Sequence, residues 1–179
     1  MKTSKVYLVS GGKASGKTKS IKKIIYLLRQ RGLNPGGIYS EGFWENGERS
    51  HYEVVGVARE ERALLCSSRV KPSWFGAGKY FFNPEGVRLG SEILMKNCGE
   101  HDLLLIDEVG RLETKKMLWY DAIQKLLANN QAMIWAVRDE FTGLVTRFFG
   151  LDDAVNFSIK KYTPEAICDF VVDDIQKNL

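Results

Sequence analysis

Gly11-Gly12-Lys13-Ala14-Ser15-Gly16-Lys17-Thr18 decides how this chain folds, because it follows the apolar run Val6-Tyr7-Leu8-Val9 and precedes a helical pattern. Strand, glycine-rich loop and helix in that order make a phosphate-binding loop. Glycines let backbone N–H groups converge on phosphate oxygens, and a helix starting at the loop's end adds roughly half a positive charge. In such a loop Lys17 reaches the β- and γ-phosphates and the Thr18 hydroxyl ligates magnesium. Downstream, Ile21, Ile24, Ile25 and Leu28 recur at helical spacing while Lys19, Lys22 and Lys23 take the other face. Arg31-Gly32, with Pro35 beyond, reads as the helix end.

A second stretch supplies acids. Leu103-Leu104-Leu105-Ile106-Asp107-Glu108-Val109-Gly110 is apolar without alternation, as in a central strand covered on both faces, and it passes into two carboxylates. Asp107 is placed to hold a magnesium shell and Glu108 to orient or deprotonate an attacking water. The alternatives are a turn cap for Asp107 and a solvated rim position for Glu108. An acid aimed at water favours hydrolysis over transfer to an acceptor. No Asn-Lys-x-Asp tetrapeptide and no Leu-Ser-Gly-Gly-Gln stretch occurs, which removes the usual signals of guanine selectivity and of transporter-type ATPases.

Between these stretches Ile38-Tyr39 and Val54-Val55-Gly56-Val57 flank a polar centre with Glu45-Asn46-Gly47, a hairpin signal. Residues 63–67 read as extended, 72–78 as a loop and 79–82 as a short strand. Asn83-Pro84 opens a helix with Val87, Ile93 and Leu94 buried, ending at Cys98-Gly99. A helix over 117–128, a strand over 132–137, a helix carrying Phe141, Leu144, Val145 and Phe148, and an edge strand through Val155, Phe157 and Ile159 follow. Thr163-Pro164 starts a last helix with Ile167, Phe170, Val171 and Ile175 inward. The reading is α/β: a mostly parallel sheet with helices on both faces and the ligand at the carboxyl ends of the strands.

At 179 residues with no low-complexity linker, the chain reads as one domain, 1–179. No apolar run approaches the ~20 residues that cross a bilayer, and no signal peptide is evident, so a cytoplasmic, monomeric protein is expected. Three widely spaced cysteines suggest neither a disulfide framework nor a zinc site. A net charge of +4, partly spent beside the phosphate loop, lacks the dense basic stripe of a nucleic-acid reader.

Other residues carry two readings each. Arg111 contacts a phosphate or pairs with Glu113 or another acid. Arg138, after its strand, senses the γ-phosphate or pairs with Asp139 or Glu140. Tyr162 stacks on a base or packs on the surface. Trp44, Trp74 and Phe75 form a lid or pin their loops to the core. His51 and His101 have no partner at metal-ligand spacing.

Gly11 to Thr18, Gly36-Gly37-Ile38-Tyr39 with its hairpin, Gly78-Lys79-Tyr80 leading to Asn83-Pro84-Glu85, and above all Asp107-Glu108-Val109-Gly110-Arg111-Leu112-Glu113 together resemble the small stand-alone P-loop nucleoside-triphosphatases. That family includes the thermophilic nucleoside-triphosphate phosphatases and the cancer-related nucleoside triphosphatase. The resemblance implies a RecA/AAA-like core with a β-hairpin insertion and Mg2+-dependent hydrolysis of ATP, GTP, CTP and UTP with low base selectivity. It also implies nucleotide contacts along Gly11 to Thr18 and along Leu103, Leu104, Leu105, Ile106, Asp107, Glu108, Val109 and Gly110. A small-molecule or nucleotide kinase, or a nucleotide-dependent switch with little turnover, are the rival readings.

Overall fold

The computed structural model describes residues 4–177. Strand β1 (Val6–Gly11) is buried throughout and runs through the loop into helix α1 (Lys17–Gln30). Gly16 caps that helix at φ 95°, a left-handed conformation that glycine adopts without steric cost. Ile21, Ile24, Ile25 and Leu28 are buried on α1, as their spacing requires, and Arg31 and Gly32 end it. Strands β2 (Pro35–Glu45) and β3 (Glu48–Gly56) meet at Asn46-Gly47, both at positive φ, which matches the twist of a tight hairpin. The polar centre between their apolar ends is hydrogen-bonded ladder with one register shift, between Phe43 and Trp44.

Strands β4 (Arg62–Ser67), β5 (Phe75–Ala77) and β6 (Tyr80–Phe82) follow. The expected loop over 72–78 thus contains a strand, formed by antiparallel pairing with β6, with Phe75 stacked on Phe82 at 4.9 Å. Helix α2 (Pro84–Asn97) starts as predicted, with the Asn83 side chain accepting the Glu85 N–H. Strand β7 (Leu103–Val109) leads through a single 3-10 turn to α3 (Tyr120–Ala128), then β8 (Met133–Arg138), α4 (Thr142–Phe149), β9 (Val155–Ser158) and α5 (Pro164–Gln176). Positive φ at Lys116 and Leu118 delays α3 to Tyr120, three residues past the sequence-based start.

One nine-stranded sheet results, in the order β5-β6-β4-β3-β2-β7-β8-β1-β9. Pairings among β2, β7, β8, β1 and β9 are parallel, while those from β2 outward to β5 are antiparallel. The sheet is mixed rather than mostly parallel, because hairpin-linked strands extend one side of it. β9 is an edge and β7 is interior, as their sequences indicate. Two apolar layers cover the sheet: Leu104, Ile106, Trp135 and Val137 pack with α2 and α3 residues such as Leu94, Ile123 and Leu126. Leu103, Leu105, Ile134 and Ala136 pack on the other face with α1 and α5.

Phe170, expected inward, is exposed, and so are Leu144 and Phe148 of α4. Phe148 and Phe170 still make edge-on ring contacts, with Phe149 and Phe157 respectively, at the margin of the apolar layers. Among the described residues no helix is long and apolar enough to cross a membrane.

Candidate active site

The carboxyl ends of the parallel strands carry both sequence motifs to one rim. β8 lies between β1 and β7, so the loop strand and the acid strand are one strand apart. The first turn of α1 spans that gap and delivers the Thr18 hydroxyl to Asp107, donating to Oδ2 at 2.9 Å. The Ser40 N–H of β2 donates to the same oxygen at 3.2 Å, and the Glu108 N–H donates to Asp107 Oδ1 at 3.0 Å. Burial, then the neighbouring Glu108 charge, pushes the Asp107 carboxyl up to about 6 against these bonds.

In the loop, Ala14 has φ 54° and the Ser15 hydroxyl donates to the Gly12 carbonyl at 2.7 Å. Lys17 is buried, with Nζ donating to the Gly12 and Gly11 carbonyls at 2.9 and 3.2 Å. The loop thus curls around its own lysine and holds the ammonium at the helix N-terminus.

Glu108 departs from strand geometry. The β7·β8 register shifts between Ile106 and Val109, and Glu108 sits at φ 59°, which costs a non-glycine residue of order 1–3 kcal/mol. The bulge leaves Asp107 buried and turns Glu108 outward beside it. Arg138, the last residue of β8, approaches Glu108 Oε2 with Nε at 3.4 Å. Its partner is neither Asp139 nor Glu140; Asp139 is bridged by Lys160 at 3.8 Å.

Arg111 does not pair with Glu113. Its guanidinium lies over the Phe141 ring, 5.5 Å from the centroid. Glu113 is buried, where Oε2 accepts the Gly110 N–H at 2.8 Å and Oε1 has no partner. It braces the chain just after the acids, a role that spacing alone leaves open. Burial pushes the Glu113 carboxyl up to about 7, opposed by the Gly110 N–H.

A stability prediction follows from linkage. The folded carboxyl holds its proton more tightly than the unfolded chain, whose value lies near 4.5, so its contribution is complete below that pH. It is lost as pH rises through about 7. Relative to the parent, Glu113→Gln should gain stability from pH 4.5 to pH 8, by at most roughly 3 kcal/mol. Urea midpoints of the two proteins across that range check it, and parallel curves would contradict it.

Tyr162 is exposed and meets Phe157 edge-on at 5.3 Å, away from the paired acids in sequence but in the segment after β9. Phe75 pins its loop to Phe82, whereas Trp44 is 62% exposed near the hairpin tip. His51 stacks on Phe43 at 4.6 Å and hydrogen-bonds Ser50. The cysteines are free thiols, Cys66 and Cys168 buried.

Among the described residues no three His, Cys, Asp or Glu side chains cluster as a metal cage. Thr18 Oγ1 and Asp107 Oδ2 offer two adjacent hard oxygens instead. That donor set suits Mg2+, which takes few protein ligands and completes its octahedron with phosphate and water.

Comparison with known proteins follows the same lines. The family model described as NTPase matches residues 6–172. A protein named nucleoside-triphosphatase THEP1 from Thermotoga sp. (strain RQ2) is 25% identical over 172 residues, 96% of this chain and 95% of that one. Its namesake from Pyrobaculum aerophilum is 31% identical over 140 residues, 78% and 77% of the two chains. The solution structure of a human cancer-related nucleoside triphosphatase superimposes with TM-score 0.75 at 20% identity, covering 98% of this chain and all of that one. THEP1 from Aquifex aeolicus gives 0.71 at 20% identity, covering 95% and 98%. At that identity the two structures establish a shared fold.

Proposed function

The chain belongs to the NTPase family, and from that premise we propose that it hydrolyses nucleoside triphosphates to diphosphate and phosphate with Mg2+ as cofactor. ATP, GTP, CTP and UTP are all substrates in this reading. The supporting observation is the contact of Thr18 with Asp107 beside an outward-turned Glu108. It joins the phosphate loop to the acids at one point.

Thr18 and Asp107 would hold the metal, which when bound offsets charge on the β- and γ-oxygens. Backbone N–H groups of the loop and Lys17 bind the polyphosphate at the start of α1. Glu108 directs water in line with the γ-phosphorus and takes its proton, with Arg138 holding the carboxylate in place. Leu103 to Ile106 form the buried strand that carries the acids, and Val109 and Gly110 close the turn behind them. The parallel strands with the loop and acids form a RecA/AAA-like core, to which the β2–β3 hairpin is an insertion. Low base selectivity is carried over from the family resemblance, and the sequence has no Asn-Lys-x-Asp tetrapeptide to favour guanine, leaving Tyr162 as a stacking surface.

Phosphate release from ATP, GTP, CTP and UTP, each with and without Mg2+ and with no acceptor present, tests this. Release from all four that disappears on chelation is expected. Silence without an acceptor would point to a kinase, and release from only one nucleotide would overturn the selectivity.

A further inference from the structure

Arg49 of β3 lies across the hairpin from Trp44. Its guanidinium sits 4.7 Å from the Trp44 ring centroid and 5.6 Å from that of Tyr52. Gly42 makes the space, since a Cβ there would overlap Arg49 Nη1 and fall 2.8 Å from Cζ. The Tyr80 hydroxyl donates to the Arg49 carbonyl at 3.4 Å. Side chain and main chain are both fixed.

Several cations of the hairpin and the cleft have a carboxylate beside them. Arg62, Arg69, Lys79 and Arg138 pair with Glu53, Glu45, Glu48 and Glu108. Arg49 pairs with no carboxylate among the described residues, although it is only partly exposed. Aromatic faces stabilise a guanidinium without neutralising it, so its charge is left for an anion from outside the chain.

Its location indicates which anion. Parallel pairing of β2 with β7 stops at Ile38, so the hairpin beyond it overhangs the strand ends that carry the loop and acids. Tyr52, which Arg49 covers, stands edge-on to Tyr80 at 5.4 Å, so the two rings and the guanidinium form one cluster at the root of the overhang. Arg49 therefore belongs to the hairpin that extends past the end of β7, the strand that carries Glu108. Arg138 is already engaged by Glu108.

We propose that Arg49 is a catalytic arginine supplied from the hairpin, contacting the γ-phosphate oxygens during hydrolysis; the proposal rests on the hydrolase reading above. The water oxygen bonds to the γ-phosphorus as the bond from that phosphorus to the β–γ bridging oxygen breaks. The electron pair stays on the diphosphate, and the water proton passes to Glu108. Arg49 keeps its protons and donates N–H bonds to oxygens that gain charge only along this path.

Arg49→Ala is expected to lower turnover about 10³-fold, in the range of a removed arginine finger, with KM and ADP affinity within about threefold of the parent. With Mg2+, ADP and aluminium fluoride, which together mimic the planar phosphoryl group, the parent should form a trapped complex and the variant should not. Free guanidinium should restore part of the variant's turnover. Gly42 is not at positive φ, so Gly42→Ala should keep the strand while displacing the guanidinium. Its turnover should fall too, and the double variant should be no slower than Arg49→Ala alone. If Arg49→Ala does not fold, Gly42→Ala decides the matter through turnover and the trapped complex.

Turnover within threefold of the parent, or ADP affinity falling in step with turnover, would overturn the proposal while the hydrolase reading stands. A parent that releases no phosphate from any nucleotide would overturn both.

Discussion

Lys17→Ala is expected to leave no measurable phosphate release and to weaken nucleotide binding about 100-fold. Lys17 is buried at the head of α1, its ammonium held by two loop carbonyls, so its charge is fixed where the proposed function puts the polyphosphate. Losing two charge-assisted hydrogen bonds at roughly 1.5 kcal/mol each removes about 3 kcal/mol of binding, which is the stated factor. Turnover should fall further, since in the proposed mechanism the same ammonium meets oxygens that gain charge in the transition state. Calorimetric titration with ATP and a phosphate-release assay separate the two effects. Unchanged affinity would show that the lysine does not meet the phosphates.

Glu108→Gln should behave differently, losing 10²- to 10⁴-fold in turnover, the usual range for a positioned acid or base, while ATP binding stays within about threefold. The amide fits the same left-handed backbone and still reaches Arg138, but it cannot accept the water proton. A second readout is independent of catalysis. Without the Glu108 charge, the Asp107 carboxyl in the nucleotide-free protein should titrate below its present value of about 6, because one of the two causes raising it is gone. A variant that hydrolyses ATP at the parental rate would end the assignment of Glu108.

Local chemistry made most of the parallel half legible. The helical recurrence of Ile21, Ile24, Ile25 and Leu28 and the unbroken apolar run from Leu103 to Ile106 each depend on neighbours in sequence, and each forms as read. Asn83 and Thr163 cap their helices for the same reason. The antiparallel extension was harder, because its strands gain identity from partners. Phe75–Ala77 is a strand only through its pairing with β6, and the polar residues between Tyr39 and Val54 continue the ladder because their edges are bonded across the hairpin.

The site divides similarly. Spacing gave Lys17, Thr18, Asp107 and Glu108 as residues, but not the bulge that separates the two acids into a buried and an outward side chain. Glu113 was visible in the motif, yet its burial against the Gly110 N–H is a tertiary fact. Arg49 could not be found by pattern at all. Its cradle depends on Gly42 lying opposite Tyr52 and on a ladder irregularity between Phe43 and Trp44, neither of which leaves a periodic trace.

The strand interposed between β1 and β7 makes the calibre of the catalytic cleft a property of the main chain. Ladder spacing, not side-chain size, sets the distance between lysine and acids, so repacking around Trp135 can proceed without altering the aperture. A proline within Met133–Arg138 would break that gauge, misaligning both motifs without touching either.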